Sequence, residues 1–362
     1  MRLIRFEAHG FRNLDEIVLE PHPQLTIVHG TNGAGKSGLL EAIQCLATGH
    51  TFRTRQRRDY AAHDGRPLLL AGQLLDQLDG SEHRCGMQRG DDGQLDIRID
   101  YRPAANVAEL ARLMPVKALV PDSHKLVQDG PDERRRFVDW GCFHASEEFA
   151  AVWRRFRRAL SQRNEVLRHR GSDDEVRSWD EAVASHGEQL DRLRKSYLEQ
   201  FALHVKKRAQ VVDFPFHMEL EWRSGWSDDR SLAQALHTRL EHHRRLKTTA
   251  DGPHRADLVV KANDRLARPV LSRGQQKMLV YVLHLAQLDC LTSATGKRAI
   301  VLCDDPFAEL DDEHQRRLLG QLQDTGCQVI LTAANPLPAP LSPDASSLDA
   351  RWLELDRGQV RA

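Results

Sequence analysis

The chain has 362 residues, enough for two or three domains and a sizeable core. Lysine plus arginine number 52 and aspartate plus glutamate 52, so the formal net charge is zero. That excludes a globally basic nucleic-acid coat protein and leaves room for a local basic patch. Six cysteines without a C-x-x-C pair read as reduced, buried thiols of a cytoplasmic protein. The 18 histidines show no metal-ligand spacing. The N-terminus has no signal-peptide pattern, and no run approaches the roughly 18 apolar residues of a membrane span, so no membrane partner is expected.

Leu3, Ile4 and Phe6 open one strand and Ile17, Val18 and Leu19 another, with Gly10, Asn13 and Asp15 as turn material. Leu25-Thr26-Ile27-Val28 reads as a buried strand. It leads into Gly30-Thr31-Asn32-Gly33-Ala34-Gly35-Lys36-Ser37, which fits G-x-x-x-x-G-K-[ST], and Gly38 to Leu46 follows as a helix with an apolar face. Strand, glycine loop and helix are the context a phosphate-binding loop requires, and they weigh against a chance glycine turn. The glycines let backbone N–H groups turn inward around phosphate oxygens, and the helix N-terminus adds partial positive charge. Lys36 would reach the β- and γ-phosphates, and Ser37 would place its hydroxyl on Mg²⁺.

Past Gly49-His50, the segment Thr51 to Arg58 carries Arg53, Arg55, Arg57 and Arg58 with Phe52. Two readings stand: contacts to nucleic-acid phosphates, or a solvated loop whose arginines answer nearby carboxylates. Residues 66–101 alternate like strands, through Leu68-Leu69-Leu70, Leu74-Leu75, Leu95, Ile97 and Ile99, with a hairpin turn at Gly90-Asp91-Asp92-Gly93. Val116 to Val120 is a short strand ended by Pro121-Asp122. Gly130-Pro131 is a turn that starts a helix.

From about 144 the apolar spacing becomes helical, with Phe149, Val152, Trp153, Phe156, Leu160 and Leu167 on one stripe. Gly171-Ser172-Asp173-Asp174 breaks it, and a second helix carries Leu190, Leu193, Tyr197 and Phe201. An antiparallel pair follows, on the order of 35 Å long if each helix has roughly 23 residues. The first helix bears Arg154, Arg155, Arg157, Arg158, Arg163, Arg168 and Arg170 against one acid, Glu165. This is either a solvated face or a DNA-facing one, with Arg154 and Arg155 as candidate contacts. Residues 211–250 suggest strands or packing loops and then a helix around 231–246, and 252–258 is a polar loop.

Leu271-Ser272-Arg273-Gly274-Gln275-Gln276-Lys277 opens a long apolar helix. Ser272 with Gln275 is a capping box, and the same serine and the N–H groups beside Gly274 can hold a γ-phosphate. Ile300-Val301-Leu302-Cys303-Asp304-Asp305 is a buried strand ending in two carboxylates. An unpaired buried acidic pair is costly, so a cation is expected there. Asp304 would orient the water shell of Mg²⁺ and Asp305 would polarise the attacking water. Glu309-Leu310-Asp311, a helix from Glu313 to Gln323 and a strand at 328–332 come next. A segment rich in proline and alanine at 333–347 leads to an edge strand at 351–355.

The order of phosphate loop, serine-glycine-glutamine signature and acidic strand is similar to that of the ABC-type ATPases. Within them the chain resembles the RecF family of bacterial recombination mediators over nearly its whole length. The likeness is carried by Phe11-Arg12-Asn13-Leu14, the phosphate loop, Gly49-His50-Thr51-Phe52-Arg53 and the run Pro131 to Asp139. It continues through Gln162-Arg163-Asn164-Glu165, Gly252-Pro253-His254-Arg255, Leu271 to Gln276 and Asp304 to Asp311.

The resemblance implies an α/β fold: an ABC-type ATPase head with a mixed sheet, phosphate loop and flanking helices, and an inserted helical, short antiparallel coiled-coil arm. The head would span 1–125 and 251–362 and the arm 126–250. ATP and Mg²⁺ would be the cofactors, with hydrolysis weak. Catalysis would fall to Lys36, Asp304, Asp305 and Ser272, with Gly274 and Gln275 joining the nucleotide site. The heads would form an ATP-dependent homodimer in which Ser272 and Gly274 of one subunit complete the site of the other. Partners would be single-stranded, double-stranded and gapped DNA, and RecR, RecO and RecA, with a role in SOS induction. The chain departs from the transporter pattern at Asp305, where a glutamate is usual, and at Thr332-Ala333-Ala334, where a switch histidine is usual. Gln56 and Gln73 are the candidates for the Q-loop. Rival readings are a transporter's nucleotide-binding subunit and a DNA-binding module with a vestigial ATPase.

Overall fold

The computed structural model describes residues 1–53, 67–89, 95–212, 214–308, 310–334, 341 and 348–361. Strands come first: β1 (Arg2–Phe11), β2 (Leu14–Leu19) and β3 (Leu25–Gly30), then α1 (Lys36–Thr48). Next are β4 (Leu68–Leu75), β5 (Glu82–Arg89), β6 (Leu95–Ile99), β7 (Arg102–Pro103), α2 (Val107–Leu113) and β8 (Val116–Leu119). A helical stretch follows: α3 (Lys125–Gln128), α4 (Pro131–Ala145), α5 (Phe149–Arg168), α6 (Asp173–Arg177) and α7 (Asp180–Val211). Then come β9 (Met218–Arg223), α8 (Leu232–Thr238), α9 (Leu240–Leu246), β10 (Asp257–Ala262), β11 (Arg265–Leu266), α10 (Ala267–Val270) and α11 (Arg273–Thr295). The chain closes with β12 (Ile300–Cys303), α12 (Asp312–Asp324), β13 (Gln328–Ala334), β14 (Ala350–Asp356) and β15 (Gln359–Arg361).

The chain divides into two compact units, residues 1–123 with 291–362, and residues 124–290. Residues 251–290, expected with the head, fall in the second unit by this division.

The first unit holds two six-stranded sheets. One, in the order β2-β1-β4-β5-β6-β7, is antiparallel throughout. The other runs β15-β14-β3-β13-β12-β8 and is parallel except for the β14–β15 hairpin. Its inner strands read as continuous apolar runs because both faces are covered. Helix α1 lies within the shared core. Its Leu39, Leu40, Ile43 and Leu46 pack in one cluster with Phe6, Leu70 and Leu74 of the antiparallel sheet and Val28, Leu302 and Ile330 of the parallel sheet. Burying each such side chain contributes about 1.5–3 kcal/mol. This α/β unit therefore seats the phosphate-loop helix on a double-sided apolar bed.

In the second unit α5 and α7 run antiparallel: Gln189 donates to Glu148 near one end, and Arg163 meets Asp180 at the other. They have 20 and 32 residues, so the second is longer than expected, about 48 Å. The break between them contains α6, started by a full capping box of Ser172 with Glu175. The single helix expected around 231–246 is two short ones, α8 and α9, parted at Arg239. The polar loop at 252–258 is a 3₁₀ turn at Pro253–Arg255 followed by the start of β10.

Arg163, counted in sequence with the surface arginines, is instead fully buried. Its guanidinium donates to Asp180 at 2.7 Å and Thr249 at 2.9 Å, and lies 3.2 Å from His243. The helix stripe reaches inward at that position, and the buried charge is met by Asp180 and Thr249 while its Nη2 is buried without a partner. Helix α11 is long and apolar enough to cross a membrane by composition, and most of that stretch is buried, as in the core helix of a globular fold.

Candidate nucleotide and metal site

The parallel sheet brings the site together. Register pairs Gly30 with Ala334 and Val28 with Thr332, and Cys303 lies beside Leu331. The carboxyl ends of β3, β13 and β12 thus lie side by side, the place where open α/β sheets bind ligands. Gly30 enters the loop at φ 151°, and a Cβ there would sit 2.3 Å from the Leu355 carbonyl oxygen. Gly35 caps α1 at φ 107°. Both positions need glycine. The first-turn N–H groups of α1 have no intrahelical acceptor, which makes this end a cradle for anionic oxygen.

Two hairpins brace the loop from outside. Gly358, in the β14–β15 turn, donates its N–H to Ala34 O at 2.8 Å. A Cβ on Gly358 would fall 2.3 Å from Asn13 O, in the β1–β2 turn. Asn13 in turn reaches Gly33 O at 3.5 Å.

Ser37, Asp304 and Thr332 converge. Ser37 Oγ donates to Asp304 Oδ1 at 2.8 Å, and Thr332 Oγ1 donates to the same oxygen at 2.9 Å. Thr332 Oγ1 also accepts the Asp305 N–H at 2.9 Å. Asp305 holds a left-handed φ of 48°. A hydroxyl and a carboxylate oxygen side by side form the hard donor set that suits Mg²⁺, so Ser37 and Asp304 fit the ion. Lys36 Nζ donates to Gly30 O at 2.7 Å and Thr31 O at 2.9 Å. Burial lowers its pKa, while Asp305 and Asp304 pull it back up.

A second charge cluster lies one turn along α1. Glu41 is fully buried, and its Oε1 accepts from Arg12 Nη2 at 3.0 Å and from the Arg53 N–H at 3.3 Å. Desolvation raises the Glu41 pKa, and Arg12 and Arg53 oppose it. The Arg53 guanidinium lies 3.7 Å from Asp304 Oδ2. Arg53, a DNA candidate by sequence, is thus placed beside Asp304.

Arg55, Gln56, Arg57, Arg58 and Glu309 lie outside the described residues. Gln73 lies on β4, opposite Arg5 and Arg84 on the antiparallel sheet. Ser272 and Gln275 form the capping box: Ser272 Oγ accepts from Gln275 N at 3.3 Å, and Gln275 Oε1 accepts from Ser272 N at 2.9 Å. A Cβ on Gly274 would meet nothing within 4 Å. These three residues belong to the second unit, and the phosphate loop and acidic strand to the first. Arg154 and Arg155 are exposed on α5. Sequence reading gave no role to Thr332, Glu41 or Arg12. The signal for Thr332 was its place at the end of the strand beside Asp304.

The RecF/RecN/SMC N terminal domain family matches residues 2–337. A "DNA replication and repair protein RecF" of Thioalkalivibrio sulfidiphilus (strain HL-EbGR7) is 38% identical over 342 residues, covering 94% of this chain and 95% of that protein. The protein of the same description from Marinomonas sp. (strain MWYL1) is 36% identical over 362 residues, covering 99% and 97%. Among solved structures, the recombination mediator protein RecF-ATP in the RecFOR pathway superposes with a TM-score of 0.88 at 23% identity, over 99% of this chain and 96% of that one. An SMC head bound to the C-winged helix domain of ScpA gives 0.59 at 14% identity, over 100% and 96%. With the phosphate loop, the acidic strand and the head fold in place, this chain belongs to the RecF family of ABC-type ATPases.

Proposed function

We propose that this chain is an ATP-gated, DNA-binding clamp of recombinational repair and replication. The observation that supports this best is the convergence of Ser37, Thr332 and Asp304 beside the phosphate loop. ATP is the substrate, with its phosphates on the loop N–H groups and Lys36. Mg²⁺, held by Ser37 and Asp304, supplies charge neutralisation on the phosphates. Among the described residues no cluster of three His, Cys, Asp or Glu side chains forms. A two-ligand site filled out by phosphate and water is what Mg²⁺ commonly takes.

In hydrolysis, a water attacks the γ-phosphorus. The bond to the bridging oxygen breaks, ADP departs with that oxygen, and a water proton is lost toward Asp305 and solvent. Asp305 is shorter than the glutamate usual in transporters, so it holds the water less closely. Slow turnover follows, suited to a switch.

Two heads sandwich two ATPs, with Ser272, Gly274 and Gln275 of each subunit completing the other's site. This contact exists only in the closed dimer, so ATP shifts the monomer–dimer balance. Closure gathers basic residues, Arg154 and Arg155 among them, around DNA at single-stranded gaps. There the clamp acts with RecR and RecO in loading RecA and supports SOS induction. The nucleotide-binding subunit of a transporter is disfavoured by the long α5–α7 arm.

Sedimentation of the protein without nucleotide, with ADP and with ATP, each with and without gapped DNA, tests this reading. An ATP-only dimer, strengthened by DNA and lost in Lys36→Met, is expected. Ser272→Ala should bind ATP and stay monomeric. A monomer in every condition, or a Ser272→Ala protein that dimerises like wild type, would refute the shared site.

A further inference from the structure

The exposed face of α5 combines positive charge with an aromatic ring. Arg154, Arg155, Arg157 and Arg158 are all exposed there. Several other arginines of this unit are held by carboxylates, among them Arg134 by Asp257, Arg194 by Asp139, Arg208 by Asp289 and Arg239 by Asp251, while others, such as Arg177, Arg192 and Arg245, have no carboxylate partner among the described residues. Arg168, on the last turn of α5, has Glu165. Among the described residues, none of the four at 154–158 has a carboxylate partner. Arg154 Nε donates only to Ala150 O of its own helix.

The placement works against the helix itself. Positions 154 and 158, 154 and 157, and 155 and 158 are like-charge neighbours one turn apart, which repel. They sit in the N-terminal half of the helix, which has no acid in its first turn to complement its dipole. Among the described residues no carboxylate on this face relieves that repulsion. A polyanion would.

Trp153 lies in the same patch, 36% exposed, with the Arg157 guanidinium 5.2 Å from its ring centroid. An arginine over an indole, flanked by free arginines, matches how single strands are bound: phosphates on the cations and a base against the ring. A duplex hides its base faces and uses the charges alone. We infer that this face of α5 is a single-strand nucleic-acid site, with Arg154 and Arg158 on successive phosphates and Trp153 with Arg157 as the stacking platform. The inference rests on the reading that the chain engages DNA, and it adds which strand form the arm takes.

The test uses the full chain, titrated with labelled oligo-dT and with a labelled duplex of equal length over a series of salt concentrations, with and without ATP. Trp153→Ala should weaken single-strand binding about tenfold and duplex binding less than about twofold. Trp153→Phe should keep most of the affinity, which separates lost stacking from lost folding. The double variant Arg154→Gln, Arg158→Gln should weaken single-strand binding and lower its log–log salt slope by about 1.4. Unchanged single-strand affinity in Trp153→Ala would overturn the proposal. So would an equal loss on both substrates, or displacement of the oligonucleotide by polyglutamate as effective as by unlabelled oligo-dT. Trp153-dependent single-strand binding in a chain that never dimerises with ATP would keep this site and remove the clamp. An ATP-driven dimer without that dependence would do the reverse.

Discussion

Thr332 lies near the end of β13, beside Asp304, and its hydroxyl is used twice. It donates to Asp304 Oδ1 and accepts the Asp305 N–H, both at 2.9 Å, and the residue is fully buried. Thr332→Val keeps the shape and removes both functions. A lost hydrogen bond to a carboxylate costs about 1.5–3 kcal/mol, and a stranded N–H about 1–3. Asp305 is only partly buried, so the lower ends apply and the sum is about 2.5 kcal/mol. Thr332→Ser keeps both bonds and loses one methyl, about 1 kcal/mol. Urea unfolding followed by circular dichroism reads the stability difference. Steady-state ATP hydrolysis reads the site, where Val should lose at least tenfold in kcat and Ser much less. Val and Ser variants alike in both assays would refute the claim that this hydroxyl orients the acidic pair.

Removing Arg163 should reveal a polar hub inside the arm. Arg163→Met strands Asp180 and Thr249 and should cost about 3–5 kcal/mol in urea unfolding, with Arg163→Lys recovering only part. His254 gives a pH signature. Its Nε2–H donates to Thr249 O at 2.9 Å, Nδ1 is buried without a partner, and burial lowers the pKa from 6.5 to about 4. Between those values the unfolded chain binds the proton and the folded chain does not, so stability falls as pH drops from about 6.5 to about 4. The total is about 3 kcal/mol. Urea midpoints against pH should show a shallower fall over that window in His254→Phe, and an unchanged slope would contradict the assignment.

Much of the site was legible because its signals are local. The glycine spacing from Gly30 to Ser37 and the apolar run ending at Asp304 each declare a backbone shape and a chemistry within a few residues. The capping box at Ser272 and Gln275 was readable for the same reason, and it formed. What sequence missed depends on partners far away in the chain. Arg163 looks like any surface arginine until His243, Thr249 and Asp180 close around it. Thr332 gains its role only when β13 lies beside β12. The split of 231–246 at Arg239 and the length of α7 fell to packing, which periodicity does not report.

The β14–β15 hairpin bears on how the protein is made. Its turn braces the phosphate loop through Gly358 and Ala34, and the Leu355 carbonyl fills the space beside Gly30. The sheet under the loop pairs residue 25 with residues 329 and 350. While the polypeptide emerges from a ribosome, the Gly30–Ser37 segment is exposed early, yet its neighbours on both sides arrive more than three hundred residues later. Such distant pairing is slow to form. A nascent or prematurely terminated product therefore carries a phosphate loop without the Gly358 and Leu355 contacts that brace it.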